Sequence, residues 1–566
     1  MKLAILFSQF VLSFSLTAFA ANTNYTTTVV QSTYAIGANY VRVPSAAIVS
    51  TADRSIKVGG IRATVGKLIY IDQAYSGASG VSDGSLTRPF KTIQAGVAAI
   101  QNAAENTLII SEGTYREYFM LKGKTPSRLF IQAKQSHTVF IKGSDLKNSG
   151  WLSYGNGLFY LNYSGPQAQM AFINRRMLQQ VNGTIAAPTM PSWGWPGRIL
   201  TGTDPTRVPA DSFWHDTVNQ KIWVRTPGGI SPNGQLMEIA TRERWMDSEG
   251  VSNLLIQDLN FEHSNTMTFR DQGQGALHIY NNSNVTIDNI SAAFGDGSCV
   301  SIGPTTQKNI KIINSNISYC GQTGISGVSD GAFIQNNKIK GNNIRAFSEL
   351  WHAGGLKVVS GFVNSTVDNN EISYNYGPGY WCDFCRVGYN KVTNNLFLHN
   401  KGQGIHLEVS TRHTITGNYF FGNSIGVYIR AGSYNTVQNN VIMMSPSFSI
   451  DIFDDSRAVN VPGGCTCYNI LSSNKIVIGQ LRMQKPASNT SNTNYYISSN
   501  ANVVENSKTL PAWTSFSGGD DAASKSYNFK DPKSFTVDAK TLADRLTNKI
   551  YTSKAQMDQY YSLMAL

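Results

Sequence analysis

Apolar residues recur along the second half of the chain in a short pattern that spans six positions. Each copy begins and ends with an apolar residue and encloses polar residues that usually include asparagine. The copies occupy residues 256–261, 285–290, 312–317, 334–339, 367–372, 392–397, 415–420, 437–442 and 471–476. Their starts lie about 22 to 34 residues apart, which is typical of a repeat architecture. The pattern predicts a solenoid of short coils, in which the longer intervals carry loops.

The repeat is compatible with a parallel β-helix, a propeller or a leucine-rich repeat. Propeller repeats run to about 40 residues, and leucine-rich repeats need a leucine framework that the chain lacks. Short β-branched strands separated by polar turns therefore favour a parallel β-helix, and the crossover rule for parallel strands makes it right-handed. In the later copies the fourth position is asparagine, at Asn337, Asn370, Asn395, Asn418 and Asn440. We expect these side chains to point inward and to hydrogen-bond from coil to coil.

The region before the main repeat divides into two predicted parts. Residues 70–72 and 108–110 read as strands, and residues 92–102 read as a helix that caps the open end of the first coils. Between residues 147 and 245 the repeat disappears, and aromatic-rich strands such as 157–161 and 221–225 alternate with turn signals. The predicted fold is therefore all-β, a right-handed parallel β-helix with an inserted antiparallel, β-sandwich-like domain.

Six segments follow from these boundaries. They are a signal peptide at 1–20, an N-terminal arm at 21–65, the first coils with their capping helix at 66–146, the insert at 147–245, the main β-helix at 246–510 and a C-terminal cap or tail at 511–566. The signal peptide is predicted from Lys2, the apolar run 3–16 and the Ala18-Phe19-Ala20 cleavage motif. We therefore expect a secreted or otherwise extracytoplasmic protein.

Composition narrows the set of partners. No later stretch has the ~20 apolar residues that a membrane-spanning helix needs, so no integral membrane association is expected. The net charge of +12 is compatible with an acidic partner, but the chain has no dense basic cluster or nucleic-acid motif, so nucleic acid is not predicted. The expected partner is a carbohydrate, and the expected state is a monomer.

Six cysteines are present, and an even number in an exported chain permits disulfides. The sequence leaves their pairing open. Cys382 and Cys385 form a C-x-x-C motif, for which local bracing of a coil is favoured over redox chemistry or zinc binding.

Two carboxylates occupy the same phase of successive coils. Asp383 follows the apolar start Val367 by as many residues as Glu408 follows Val392. Stacked strands would place them about 4.8 Å apart at the backbone. A retaining glycosidase needs its two carboxyl groups roughly 5 Å apart, whereas two close carboxylates without a function destabilise a fold. The alternative is a pair of exposed carboxylates that neutralise basic neighbours.

Residues with side chains suited to glycan recognition surround this pair along the chain. Aromatic faces stack on sugar rings, and charged or imidazole groups bind hydroxyls. The neighbours are Trp351, His352, Lys357, Tyr380, Trp381, His406, Arg412, His413 and Arg430, followed by Asp451, Asp454 and Asp455. Of these, we predict substrate binding for His352, Lys357, Trp381, His406, Arg412, Arg430 and Asp454. Arg430 falls near the same phase one coil on, where its charge would keep one carboxylate ionised.

Three segments resemble a group of β-helix glycoside hydrolases related to families 120 and 141, which include β-xylosidases. They are residues 352–357, residues 379–383 ending at Asp383, and residues 404–408 ending at Glu408. The resemblance spans about residues 70 to 490 and includes an early β-sandwich insert. It implies that Asp383 is the nucleophile and Glu408 the acid/base. The two cysteines around Asp383 depart from the group's pattern.

Three functions remain open from the sequence. The first is a retaining glycoside hydrolase, for which no cofactor or metal is expected. The second is a polysaccharide lyase or uronate epimerase, in which Lys357, Arg386, Arg412 or His406 removes a proton and Asp451, Asp454 and Asp455 hold Ca²⁺. The third is a non-catalytic glycan-binding surface protein.

Overall fold

A computed structural model describes residues 64–181, 204–266, 275–345, 347–443, 445, 447–477, 479–484, 488–498, 502–504, 508–509 and 521–528. The predicted signal peptide, nearly all of the N-terminal arm and most of the predicted C-terminal cap or tail lie outside these residues. None of the described helices is long and apolar enough to cross a membrane.

The described chain winds into coils whose strands stack in parallel along three faces, which confirms the predicted all-β parallel β-helix. The strands of the first face are Lys67–Ile71, Glu105–Ile110, Arg128–Ala133, Leu254–Gln257, Ser283–Asp288, the second half of Ser298–Ile313, Phe333–Gln335, Thr366–Asp368, Lys391–Thr393, Thr414–Thr416, Thr436–Gln438, Ile470–Ser472 and Thr490–Asn492. Those of the second face are Gly113–Tyr115, Val139–Lys142, Asn260–Glu262, Ser291–Ala293, Asn316–Ser318, Lys338–Lys340, Glu371–Ser373, Leu396–Leu398, Tyr419–Phe421, Val441–Met443, Lys475–Val477, Tyr495–Ser498 and Lys525–Asn528.

The third face is the one that carries the predicted carboxylates. Its strands are Phe119–Met120, Met246–Asp247, Gly275–Ile279, the first half of Ser298–Ile313, Thr323–Asp330, Gly354–Val359, Tyr380–Asp383, Ile405–Glu408, Ile425–Arg430, Phe448–Phe453, Leu481–Met483 and Asn502–Val504. A last short strand, Lys508–Thr509, pairs antiparallel with Asn502–Val504. One apolar core runs through the coils from Ile69 to Tyr496.

A short α-helix closes the first coil. It spans Ile93–Ala98, with the Thr92 hydroxyl accepting from the Ala95 N–H at its start. Ile93 and Val97 are buried against the core, as a cap requires. The helix ends earlier than the sequence suggested, and Lys124 and Lys67 donate to the carbonyls of Ala98 and Ala99 there. Short 3₁₀ turns occur at Ser79–Val81, Pro205–Arg207, Pro227–Gly229 and Ser456–Asn460.

In the part of the insert that the structure describes, the strands form a separate eight-stranded sheet. Its strands are Ser144–Leu146, Leu152–Gly155, Leu158–Asn162, Ala171–Ile173, Arg176–Gln180, Ser212–Asp216, Lys221–Arg225 and Met237–Ala240. Its pairings are antiparallel except that Arg176–Gln180 runs parallel to Ser212–Asp216. Its aromatics Phe159, Phe213 and Trp151 are mostly core, packed with Ile222 and Ile239.

One buried carboxylate fastens the insert to the β-helix. Glu238 of the last insert strand accepts from Arg116 at 2.7 Å and lies 3.3 Å from Lys142, both in the first coils. Burial raises the pKa of Glu238, but the charges of His263, Lys142 and Arg116 outweigh burial and hold it at about 2. These two ion pairs therefore connect the insert to the first coils of the β-helix.

The asparagine ladder is confirmed, and the structure contains more than one. The side-chain N–H of Asn337, Asn370, Asn395, Asn418 and Asn440 each donates to the side-chain oxygen of the next ladder asparagine, at 2.9–3.0 Å. A second ladder joins Asn342, Asn375, Asn400 and Asn423 at another corner. A third joins Asn435, Asn469 and Asn489. These bonds explain why buried turns tolerate so many polar side chains.

Replacement of Asn395 by alanine should lower the free energy of unfolding by about 2 to 3 kcal/mol, because it removes several buried hydrogen bonds. The Asn395 side chain accepts from the backbone and side-chain N–H groups of Asn370 and donates to the carbonyl of Val367 and the side-chain oxygen of Asn418. Urea unfolding measures the change. Lys391→Ala, an exposed position of the same coil, is the control. Equal stability of the two variants would contradict a stabilising ladder.

The six cysteines form three disulfides, Cys299–Cys320, Cys382–Cys385 and Cys465–Cys467. The C-x-x-C motif thus braces a coil locally, as the sequence analysis favoured.

Candidate active site

The site lies on the outer surface of the third face, where successive strands alternate their side chains between core and exterior. In the strand Tyr380–Asp383, Tyr380 and Cys382 belong to the core, and Trp381 and Asp383 point outward. The strand register pairs Asp383 with Glu408 and Glu408 with Arg430. The predicted phase match of the two carboxylates, and the place of Arg430 one coil on, are both confirmed.

Asp383 is held by Lys357 from the preceding coil. The Lys357 ammonium donates to Oδ2 of Asp383 at 2.9 Å and lies 3.1 Å from the centroid of the Trp381 ring. The other oxygen, Oδ1, is buried without a hydrogen-bond partner among the described residues. Burial raises the pKa of Asp383, Lys357 opposes this effect, and the charge of Glu408 adds to it. Burial also lowers the pKa of Lys357 to about 8, although Asp383 opposes that shift.

Glu408 accepts hydrogen bonds from two sides. The indole N–H of Trp381 donates to Oε2 at 3.1 Å, and the guanidinium of Arg457 lies 2.6 Å from Oε1. Arg430 is more distant, at 3.9 Å from Oε1. Burial raises the pKa of Glu408, but His406, Arg457 and Lys357 together hold it below its usual value. Glu408 is therefore stabilised as a carboxylate.

Arg457 is a site residue that the sequence analysis missed. It lies in the 3₁₀ turn Ser456–Asn460, which begins at Asp455. The Asp455 side chain accepts from the Arg457 backbone N–H at 2.9 Å and from the Arg430 side chain at 2.8 Å. Counting coil phase cannot find a residue in an irregular connection. The signal that was available is the Asp455-Ser456 pair, a typical start of a helical turn.

His406 stands between two aromatic rings. Its imidazole stacks on Trp381 at 5.0 Å and on Tyr428 at 4.9 Å between ring centroids. Burial lowers the pKa of His406 to about 3, so the ring is neutral at pH 7. The effect on Glu408 at that pH therefore comes from Arg457 and Lys357. Both ring nitrogens of His406 are buried without hydrogen-bond partners among the described residues.

His352 lies close enough to Lys357 for the lysine charge to change the pKa of its imidazole. Burial, and then the Lys357 ammonium, lower the pKa of His352 to about 3. Its Nε2 is also buried without a partner in the described part of the chain. Trp351 contacts the His352 ring at 5.8 Å between centroids. Buried polar atoms without partners are uncommon, and each of them calls for an explanation.

Several residues that are near in sequence lie elsewhere. Tyr380 is fully buried in the core, because it alternates with the outward Trp381. His413 replaces an asparagine in the third ladder, where its Nδ1 donates to the Thr411 carbonyl and its Nε2 accepts from Asn390. Arg412 lies between the rings of Tyr389 and Tyr434 on another corner. The structure therefore does not place Arg412 with the carboxylates, because the chain has turned away after Glu408, and its role in substrate binding stays a prediction.

The acidic residues of the next coil do not fit a calcium site well. Asp451 pairs with Arg482 through both oxygens, and Asp455 pairs with Arg430 and Arg457. Guanidinium groups thus occupy carboxylates that Ca²⁺ would need. Asp454 follows the strand Phe448–Phe453, and its backbone N–H donates to Gln484 at 2.9 Å.

Among the described residues, Cys382, Cys385 and His413 have potential metal ligand atoms within 4.8 Å of one another. However, the two sulfurs are joined in a disulfide and His413 serves the ladder. Thiolates, not disulfides, bind metal ions, so this arrangement does not provide a zinc site.

Comparison with known proteins confirms the fold class. A family profile described as "Right handed beta helix region" matches residues 268–442. No curated protein sequence gives a significant match. The chain is thus a right-handed parallel β-helix protein over that region.

Similar solved structures are distant. The structure titled "The complex structure of XylC with xylose" is 15% identical to this chain and has a TM-score of 0.43. The match covers 76% of this chain and 75% of that protein. A protein titled "Glycoside hydrolase" is 11% identical, with coverage of 76% and 95% and a TM-score of 0.44. The A-module of the Azotobacter vinelandii mannuronan C-5 epimerase AlgE4 is 13% identical, with coverage of 75% and 91% and a TM-score of 0.42. At these values function must be argued from the site.

Proposed function

We propose that the protein is a retaining glycoside hydrolase that acts on an oligosaccharide or polysaccharide. The observation that carries the proposal is the pairing of Asp383 with Glu408 on adjacent strands. The stacked-strand spacing of about 4.8 Å is close to the distance at which one carboxylate attacks the sugar while the other moves a proton. The predicted signal peptide and the three disulfides support export of the chain.

The proposed reaction has two steps. Glu408 donates a proton to the glycosidic oxygen while Asp383 attacks the anomeric carbon, and the leaving group departs as an alcohol. Glu408, now a carboxylate, then takes a proton from water, which attacks the glycosyl–Asp383 ester and releases the sugar with its original configuration. Lys357 orients Asp383, and Trp381 and Arg457 orient Glu408.

The remaining polar groups support substrate binding. As contacts for sugar hydroxyls we assign the Oδ1 atom of Asp383 and the nitrogens of His406 and His352 that have no hydrogen-bond partner among the described residues. Trp381 has a different role from the one its residue type suggests, because Lys357 and His406 contact its ring. We therefore assign Trp381 to holding Glu408 rather than to stacking on sugar. Arg430 and Asp454 remain proposed contacts at the next coil.

A lyase or epimerase is the second candidate, and the lowered pKa of Lys357 is the observation that favours it. With a pKa of about 8, Lys357 is partly unprotonated in mild base and can then abstract a proton beside a uronate carboxylate. Of the other bases considered, Arg386 stacks on Phe384, Arg412 is on another corner, and His406 is neutral but buried between rings. The ion pair of Lys357 with Asp383 makes the hydrolase the better proposal.

A panel of neutral and acidic glycans, assayed at once for new reducing ends and for ultraviolet absorbance, separates the candidates. We expect new reducing ends without absorbance, and proton NMR at early times should show a product that keeps the anomeric configuration of the substrate. An unsaturated uronate product would establish a lyase, and a changed uronate configuration in the NMR spectrum without new reducing ends would establish an epimerase. Inverted product would reject the two-step mechanism, and calorimetric binding without any product would indicate a binding protein.

A further inference from the structure

The disulfide Cys382–Cys385 encloses the proposed nucleophile. Asp383 and Phe384 are the two residues between the bonded cysteines. Cys382 and Cys385 are both buried in the core, whereas Asp383 points outward. The crosslink thus anchors the backbone on both sides of Asp383 at the end of its strand.

A hydrogen-bond bridge ties this short loop to the strand that carries Glu408. The Ser410 hydroxyl accepts from the Cys385 N–H at 3.1 Å and donates to the Cys382 carbonyl at 2.9 Å. The Phe384 N–H donates to the Glu408 carbonyl at 2.8 Å. The loop that contains Asp383 is therefore hydrogen-bonded to Glu408 itself and to Ser410, two residues after it.

Phe384 extends the same support to Arg457. Its backbone has φ of 55°, a left-handed conformation that is uncommon for a bulky residue. In this conformation its ring packs on the apolar cluster that contains Val409, Ala458 and Val461. Ala458 belongs to the same 3₁₀ turn as Arg457, whose guanidinium contacts Glu408. A fixed position of Phe384 therefore also supports the 3₁₀ turn that carries Arg457.

We propose that the Cys382–Cys385 disulfide is a positioning crosslink, which holds Asp383 and, through Phe384, Arg457 in the arrangement that the two carboxylates need. The proposal rests on the proposed hydrolase function. It assigns a role to the feature that sets this chain apart from the glycosidases it resembles.

The stabilisation expected from this crosslink is smaller than that expected from Cys299–Cys320. The chain-entropy model predicts a smaller stabilisation for a shorter loop, and the sequence separation is 3 residues here but 21 residues in Cys299–Cys320. Both disulfides lie in the same core. A purely structural role therefore predicts that loss of Cys299–Cys320 is the more harmful change in every assay, whereas a positioning role predicts opposite orders for stability and activity.

The test compares two double variants of the full chain, Cys382→Ala with Cys385→Ala, and Cys299→Ala with Cys320→Ala. We expect the first variant to lose roughly 10- to 100-fold in kcat, with KM within about twofold of the parent, because a small displacement of a reacting group is costly. We expect the second variant to lose less kcat but to have the lower melting temperature. Equal losses of kcat, or a first variant with full activity, would overturn the proposal.

Hydrogen–deuterium exchange gives a readout that does not depend on activity. Residues 380–386 and 454–461 should exchange at least ~10-fold faster in the first variant and unchanged in the second, because local opening sets the exchange rate. Unchanged exchange in both segments would refute the crosslink's role. If the parent protein hydrolyses no glycan, the proposed function fails, and the exchange data still decide whether the disulfide fixes these two segments.

Discussion

Replacement of Glu408 by glutamine should lower kcat by roughly 10²- to 10⁴-fold, the range that a general acid/base contributes. Glutamine keeps the shape of the side chain and can still accept from Trp381, but it can neither donate the proton nor recover it from water. Asp383→Asn should abolish turnover, because an amide does not form the glycosyl ester. Steady-state kinetics on the best substrate of the glycan panel measures both losses.

The control is Glu371→Gln, a carboxylate on the second face of the β-helix. It should retain parental kcat and KM. The two site variants should still unfold cooperatively and should keep their affinity for substrate, measured by calorimetry. A small exogenous nucleophile such as azide should restore turnover to Asp383→Gly, because it attacks the sugar in place of the missing carboxylate. Parental activity in Asp383→Asn would reject the proposed mechanism.

The register of the carboxylates could be predicted because it depends on a regular quantity. The chain makes the same turns between Val367 and Asp383 as between Val392 and Glu408. Because Val367 and Val392 are paired on adjacent strands, an equal number of residues after each of them leads to a second pair, Asp383 and Glu408. The asparagine ladder was predictable for the same reason. The second and third ladders were missed because they lie at corners that the six-residue pattern does not include.

The composition of the site was less predictable than its position. Proximity in sequence placed Tyr380, Arg412 and His413 beside the carboxylates, although alternation along the strand sends Tyr380 inward. Val409 and Arg412 have positive φ, which turns the chain away just beyond Glu408. Arg457 approaches from an irregular segment a full coil later. The position of a residue in a regular strand can be predicted by counting residues along the repeat, whereas the position of a residue in an irregular turn cannot.

The pKa shifts of Asp383 and Glu408 have opposite directions, which bears on the assignment of the acid/base. The pKa of Asp383 is raised, chiefly by burial, while the pKa of Glu408 is lowered despite burial. The acid/base must carry a proton before the first step, so these directions favour Asp383 for that part, whereas the resemblance favours Glu408. Arg457 separates the two assignments, because it bonds to Glu408 alone of the pair.

Arg457→Gln should raise the pKa of Glu408, because it removes a cation that stabilises the carboxylate. If Glu408 is the acid, the basic limb of the kcat/KM profile reports its pKa and should move to higher pH. Arg457 also lowers the pKa of Asp383, but as the last of its causes, so the acidic limb should move less. At neutral pH hydrolysis of the glycosyl intermediate should slow by roughly 10- to 100-fold, because Glu408 loses the guanidinium that orients it.

Profiles of kcat/KM against pH for the parent, Arg457→Gln and the surface control Arg128→Gln decide the assignment. Arg128 pairs with Glu105 on the exposed surface of the first coils, so its loss should move neither limb. A larger shift of the basic limb in Arg457→Gln supports Glu408 as acid/base and Asp383 as nucleophile. A larger shift of the acidic limb would exchange the two roles, since Glu408 would then have to be ionised in the free enzyme. If neither limb moves, Arg457 has no part in setting the charge of Glu408, and the 3₁₀ turn that carries it serves only to cover the site.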